Sequence, residues 1–119
     1  MNFTKPIEIP TKNVVKMHIV GITWDNSILK LAPSLLERGW GNGYVRLPKN
    51  HKYFGADYDD IPYDIHRGLS YADYQTFNGI EYYVIGFDTS HYGDNQSMDK
   101  QWVTNETHKL QLQAIKDLI

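Results

Sequence analysis

Two carboxylates and an imidazole crowd the stretch Gly86-Phe87-Asp88-Thr89-Ser90-His91-Tyr92-Gly93-Asp94. Carboxylate and neutral imidazole can ligate a divalent metal, and the same pair can act as a general base with its orienting partner. An unpaired charge is costly to bury, so Asp88, His91 and Asp94 must meet water, one another or a ligand. The plainer alternative has both aspartates accepting backbone N–H bonds in a turn, with His91 on the surface.

A second group, Asp64-Ile65-His66-Arg67-Gly68, precedes the strand that begins near Leu69. In extended chain Asp64 and His66 point the same way, because side chains alternate. If 69–87 is a hairpin, its first strand starts beside the end of its second, which brings His66 and Arg67 to Phe87-Asp88. The candidate catalytic groups are then His66, Asp88, His91 and Asp94. A metal would fall to His66, Asp88 and His91, with Asp94 or Asp64 activating water. Arg67 suits a phosphate or carboxylate. The competing reading is a set of ion pairs, such as Arg67 with Asp88, closing the sheet's end.

The third group is Gly39-Trp40-Gly41-Asn42-Gly43-Tyr44. Trp40 and Tyr44 could stack a base or sugar beside Asn42, with Arg46 or Arg67 supplying charge, or Trp40 could simply cover the end of the core. The glycines match neither a phosphate-binding loop nor a dinucleotide fingerprint. The ligand-binding set read from sequence is therefore Trp40, Asn42, Tyr44, Asp64, His66, Arg67, Asp88 and His91. A separate acidic run, Asp57, Asp59, Asp60 and Asp64 with Tyr53, Tyr58 and Tyr63 between, lacks the EF-hand pattern. It reads as a solvated loop, or as an acidic, tyrosine-rich surface that mimics nucleic acid or docks on a basic partner.

The elements that must position these groups follow from pattern. Pro6 and Pro10 make residues 1–12 an extended arm. Residues 14–24 are rich in β-branched residues and predict a strand bulged at Gly21. A short helix over 27–31 and a helical turn over 34–38 follow, with Gly39 as the stop. Gly41-Asn42-Gly43 predicts a turn ahead of a short strand over 44–47, and 49–63 is the longest irregular segment. Asn78-Gly79 is the strongest hairpin signal in the chain. A terminal helix is predicted from Thr104, with Val103, Thr107, Leu110, Ala114 and Leu118 on its buried stripe. The fold class expected is α+β: one domain, a twisted, mainly antiparallel sheet with a central hairpin over 69–87, and a C-terminal helix on one face.

Size and composition bound the function. A chain of 119 residues supports one hydrophobic core. The formal charge of -2 gives no general attraction to nucleic acid or anionic membrane. The absence of cysteine removes disulfides and thiolate zinc sites and fits a reducing compartment, so a soluble cytoplasmic protein is expected. No apolar run approaches the ~20 residues of a membrane span.

Three pieces taken together resemble a group of small uncharacterised phage and prophage proteins: Gly39-Trp40-x-Asn42-Gly43-Tyr44-Val45, Asp64-x-His66-x-Gly68-Leu69-Ser70-Tyr71 and Gly86-Phe87-Asp88-x-x-His91-x-Gly93-Asp94. The resemblance covers roughly residues 39–118, and Arg67 stands where that group more often has glycine. It implies a phage accessory role, such as interference with host defence from within the host cytoplasm. The expectation is a binder of a small ligand, nucleotide-like or phosphorylated, or of a host protein, through the His/Asp centre. Two alternatives stand beside it: a metal-assisted hydrolase on the same residues, and a protein-only inhibitor acting through 53–64. The sequence leaves homo-oligomerisation open.

Overall fold

The alternation of Lys16-Met17-His18-Ile19-Val20 sends Met17 and Ile19 to one side of a strand and His18 and Val20 to the other. That division runs across the whole sheet of the computed structural model, which describes residues 1–119. The strands are β1 (Asn2–Phe3), β2 (Ile7–Ile9), β3 (Lys16–Thr23), β4 (Gly41–Leu47), β5 (Tyr71–Phe77) and β6 (Ile80–Phe87). They form one antiparallel sheet in the order β1-β3-β4-β6-β5, with β2 also paired to β3. The long helix α2 (Lys100–Ile115) packs on the face formed by Met17, Ile19, Val45, Leu47, Tyr83, Ile85 and Phe87, all buried. Val103, Thr107, Leu110, Gln111 and Ala114 are its buried positions. The α+β architecture and the C-terminal helix are as the sequence pattern predicts. No helix is long and apolar enough to cross a membrane.

The hairpin is set locally. Asn78 and Gly79 have φ of 51° and 79°, the two positive values a tight hairpin turn requires, and Phe77 pairs directly with Ile80. The arm lies along its own domain's β3, with the Thr4 N–H donating to the Gly21 carbonyl at 2.9 Å.

Four expectations need correction. Gly41-Asn42-Gly43 is strand, not turn: register runs unbroken from Lys16–Arg46 to Gly21–Gly41, which also removes the bulge expected at Gly21. The glycines are there for close approach. A Cβ on Gly43 would overlap the Thr107 hydroxyl and come within 2.6 Å of Phe87 Cε1, so the absent side chain is what lets α2 lie on β4. The terminal helix starts at Lys100 rather than Thr104, because Asp99 is its N-cap, its carboxylate accepting the Trp102 N–H at 2.9 Å. Leu118 lies beyond the helix and pairs with His51 instead of extending the stripe.

A short helix α1 (Asn26–Leu31) and a 3-10 turn (Pro33–Glu37) fall where the sequence places them, and neither buries a residue. Within the irregular segment before β5, Ile61, Tyr63 and Ile65 are buried at alternate positions. The outward edge of this stretch is held to α2: the Asp64 N–H donates to Gln113 Oε1 and the His66 N–H to Glu106 Oε1, both at 2.7 Å. That attachment fixes His66.

Candidate functional site

Asp94 is the centre around which the predicted polar residues gather. Its side chain is fully buried, and the loop that carries it turns at Gly93, φ 92°. One carboxylate oxygen, Oδ1, accepts from His66 Nε2 at 2.7 Å and from Arg67 Nε at 2.9 Å. The other, Oδ2, accepts the His91 backbone N–H at 2.9 Å. Burial alone would raise the Asp94 pKa, but these donors, Arg67 foremost, hold it below the usual carboxylate value. His66 must carry its proton on Nε2 to make this bond, and its ring meets Trp102 edge-on at 5.1 Å. Arg67 adds a bond to the Tyr92 carbonyl at 3.0 Å and adopts φ 57° to reach both, a left-handed conformation unusual for a side chain of its size.

Asp88 is the second node. His91 Nδ1 lies 2.7 Å from its Oδ1, which also accepts from the Ser90 N–H, while Ser70 donates to Oδ2 at 2.8 Å. The hairpin argument thus brings the two motifs together but with different partners. His66 and Arg67 meet Asp94, and Ser70 is the residue beside Asp88. The Arg67–Asp88 pair of the competing reading is replaced by Arg67–Asp94, because the loop after β6 brings Asp94 back to the segment ahead of β5.

This arrangement changes the candidate metal set. The donor atoms of Asp88, His91 and Asp94 lie within 4.8 Å of one another, whereas His66 spends its Nε2 on Asp94. A divalent cation would therefore fall to Asp88, His91 and Asp94, not to His66, Asp88 and His91. The fit is partial, because Asp94 already takes three hydrogen bonds, and a cation must compete with Arg67 for it.

On the face of the sheet turned away from α2 lies a cleft of about 540 Å³, with Asp88 among its lining residues. Direct register places Tyr71, Gly86, Tyr44 and His18 in one row across β5, β6, β4 and β3. Gly86 leaves the space the Tyr44 ring fills, since a Cβ there would overlap that ring. Tyr44 stacks on His18 at 5.0 Å and 20°, and Tyr71 meets Tyr44 edge-on at 5.5 Å. Phe3, Thr4 and Pro6 of the arm complete the wall.

The polar groups of this wall have defined roles. Arg46 Nε donates to His18 Nδ1 at 3.3 Å, so neutral His18 keeps its proton on Nε2 as a donor. Burial, aided by the Arg46 charge, lowers the His18 pKa to about 4, and the ring is neutral at physiological pH. Burial likewise raises the Tyr44 pKa, and its hydroxyl accepts from Asn42 Nδ2 at 2.9 Å. Asn42 is 8% exposed, and its Oδ1 is buried with no hydrogen-bond partner. Arg46 itself is committed to Glu8, to His18 and to the face of Phe77 at 3.6 Å.

Of the residues read from sequence as ligand-binding, Asn42, Tyr44 and Asp88 line the cleft, and His66, Arg67 and His91 belong to the adjoining cluster. Two are displaced. Trp40 is half-buried against the core, its ring over Gly21, and does not line the cleft. Asp64 is exposed beside α2, near Lys109 at 3.8 Å. In the acidic run Asp57, Asp59 and Asp60 are exposed, but Tyr63 is buried and donates to Asp117 at 2.7 Å, so the interleaved tyrosine surface is reduced. Sequence reasoning missed His18, Ser70, Tyr71 and Gln75. The available signal was alternation: Lys16, His18 and Val20, and Asn42, Tyr44 and Arg46, all fall opposite the apolar positions of β3 and β4.

No family model, no curated protein and no solved structure matches the chain.

Proposed function

We propose that this protein binds a small ligand in the cleft on the open face of the sheet, with Asp88 in its lining and the Asp94 cluster as the buttress that holds Asp88 and His91. The observation that carries the reading is Asn42 Oδ1. An unpartnered buried acceptor costs about 1–3 kcal/mol, and a cleft-lining residue that keeps one is expected to turn it toward a ligand that can satisfy it. The volume, about 540 Å³, falls within the range of small-molecule sites, and Phe3, Tyr44 and Tyr71 supply aromatic wall among the polar Thr4, His18, Asn42, Ser70, Gln75 and Asp88. With no activated nucleophile among the lining residues, sequestration fits better than turnover. A phage-type accessory role, as the motif resemblance implies, would then consist of withholding a ligand.

A fragment screen by amide chemical-shift mapping tests this at about 1 mM, where a ligand worth about -4 kcal/mol half-fills its site. Hits should move the backbone amides of Asn42, Tyr44, Tyr71 and Asp88, and Asn42→Leu should abolish them. Asn42→Leu should also leave stability unchanged or raised, since it removes the orphaned acceptor. Fragments that scatter over the surface, or none that move these amides, would sink the reading.

A second reading has one observation in its favour, the 4.8 Å clustering of Asp88, His91 and Asp94 donor atoms. A divalent cation there could activate water as in a small hydrolase. Thermal stabilisation by zinc or manganese, lost in His91→Ala, would support it, and no shift at millimolar metal would remove it.

A further inference from the structure

Resting on the cleft as the binding site, we infer that its ligand is a planar amino-substituted nitrogen heterocycle, an adenine- or cytosine-type base as free base or nucleoside, and not a phosphorylated form. The chemistry of the walls sets the class. The stacked His18–Tyr44 pair and the Tyr71 edge offer flat apolar surface, which favours a planar ring.

The hydrogen-bonding groups then choose among planar rings. Asn42 Oδ1 is an unused acceptor, and Asp88 Oδ2 keeps a lone pair beyond its bond to Ser70, whereas Oδ1 is filled by the Ser90 N–H, the Ser90 hydroxyl and His91. Gly43 and Phe87 pair directly, so Asn42 and Asp88 follow one position further on neighbouring strands. With Asn42 turned to present its Oδ1 to the cleft, an acceptor at each of these neighbouring positions calls for a group with two N–H bonds, which an exocyclic amine supplies. His18 Nε2–H is the complementary donor and calls for an acceptor such as a ring nitrogen. An amine next to a ring nitrogen is the edge that adenine and cytosine present, and hypoxanthine and uracil replace the amine with a carbonyl.

Charge excludes the phosphate. Asp88 is the lone charged side chain lining the cleft. The nearest cations that sequence reasoning would enlist are spent elsewhere: Arg46 on Glu8 and Phe77, Arg67 on Asp94 and the Tyr92 carbonyl. A phosphate would therefore gain no cationic partner and would meet a carboxylate.

The test compares adenosine and cytidine with inosine, uridine and the two monophosphates AMP and CMP, by amide shift titration and calorimetry on the whole chain. Adenosine or cytidine should move the Asn42, Tyr44 and Tyr71 amides and bind at least about tenfold tighter than inosine or uridine, the factor a single lost hydrogen bond of about 1.4 kcal/mol gives. The monophosphates should bind more weakly than their nucleosides, and Asp88→Asn should narrow that gap. Tighter binding of inosine or uridine would mean Asn42 presents its amino group, and it overturns the assignment. So does equal or tighter binding of AMP. If screening fragments occupy the cleft but neither nucleoside does, the ligand class is wrong and the binding site stands. If nothing moves the cleft amides, both fall.

Discussion

Replacing Asp94 by asparagine removes one charge and almost no volume, so its effect isolates what the buried carboxylate holds together. The carboxylate accepts three hydrogen bonds, from Arg67, His66 and the His91 N–H. An asparagine can place its oxygen where Oδ1 was and keep two acceptor contacts, from His66 at neutral strength and from Arg67 with only the guanidinium charge assisting. Its amino group must then face the His91 N–H, donor against donor. Charge-assisted bonds are worth roughly 1.5–3 kcal/mol against about 1 for neutral ones. Arg67 is 42% exposed, so its share is discounted for solvent screening. The sum is a loss of about 3 kcal/mol. At ~2.1 cal/mol/K per residue, a chain of 119 residues unfolds with an entropy near 250 cal/mol/K, which converts that loss to a Tm drop of about 12 °C. The pH profile supplies a second check. The Asp94 pKa is lowered by folding, so its contribution is present above the unfolded value of ~4 and is lost as pH falls through the folded value. The gap between wild type and Asp94→Asn should therefore be full at pH 7 and shrink in acid. Scanning calorimetry from pH 7 to pH 3 measures both. A drop below about 4 °C at pH 7, or a gap that widens in acid, would refute the reasoning.

His18 titrates in a different window. Its pKa is lowered to about 4 by burial and by Arg46, so the stability it contributes is whole above ~6.5 and is lost as pH falls toward 4. The shift corresponds to about 3 kcal/mol, and urea unfolding at pH 7 and pH 4.5 should show most of it lost in wild type but not in His18→Gln. Arg67→Gly should change stability by less than about 1 kcal/mol, because relief of the left-handed φ of 57° offsets the lost bonds, yet it should raise the Asp94 pKa, read by carboxyl carbon NMR. An unmoved Asp94 pKa would contradict the role given to Arg67. Gly43→Ala forces a methyl group to within 2.6 Å of Phe87 and into Thr107, and should cost about 2–3 kcal/mol by chemical denaturation. Adding Thr107→Ala should recover part of that loss, and a cost under 1 kcal/mol for the single change would mean α2 is not held by this approach.

The elements legible in the sequence are those whose cause is local. Asn78-Gly79 adopts positive φ at low cost, so the hairpin follows from two adjacent residues. The alternation in β3 and the stripe over Val103, Thr107, Leu110 and Ala114 name the core before any contact is known. The glycines at 41 and 43 misled for the same reason: locally they signal a turn, and their true causes lie far along the chain, the Val20 backbone of β3 against Gly41 and Thr107 of α2 against Gly43. Proximity of the Asp64–Gly68 and Gly86–Asp94 motifs also follows from the hairpin, so the cluster was foreseeable as a neighbourhood.

What the sequence could not determine was who pairs with whom. Whether Arg67 meets Asp88 or Asp94 depends on how the loop after β6 returns, and that is decided by bonds such as Arg67 to the Tyr92 carbonyl. The cleft is still less local, since its walls come from the arm, β3, β4, β5 and the end of β6. Asn42 carries the same amide in any fold. Only the tertiary arrangement gives its Nδ2 the Tyr44 hydroxyl, buries its Oδ1 and leaves that atom without a partner, because satisfaction of a polar group is a property of everything packed around it.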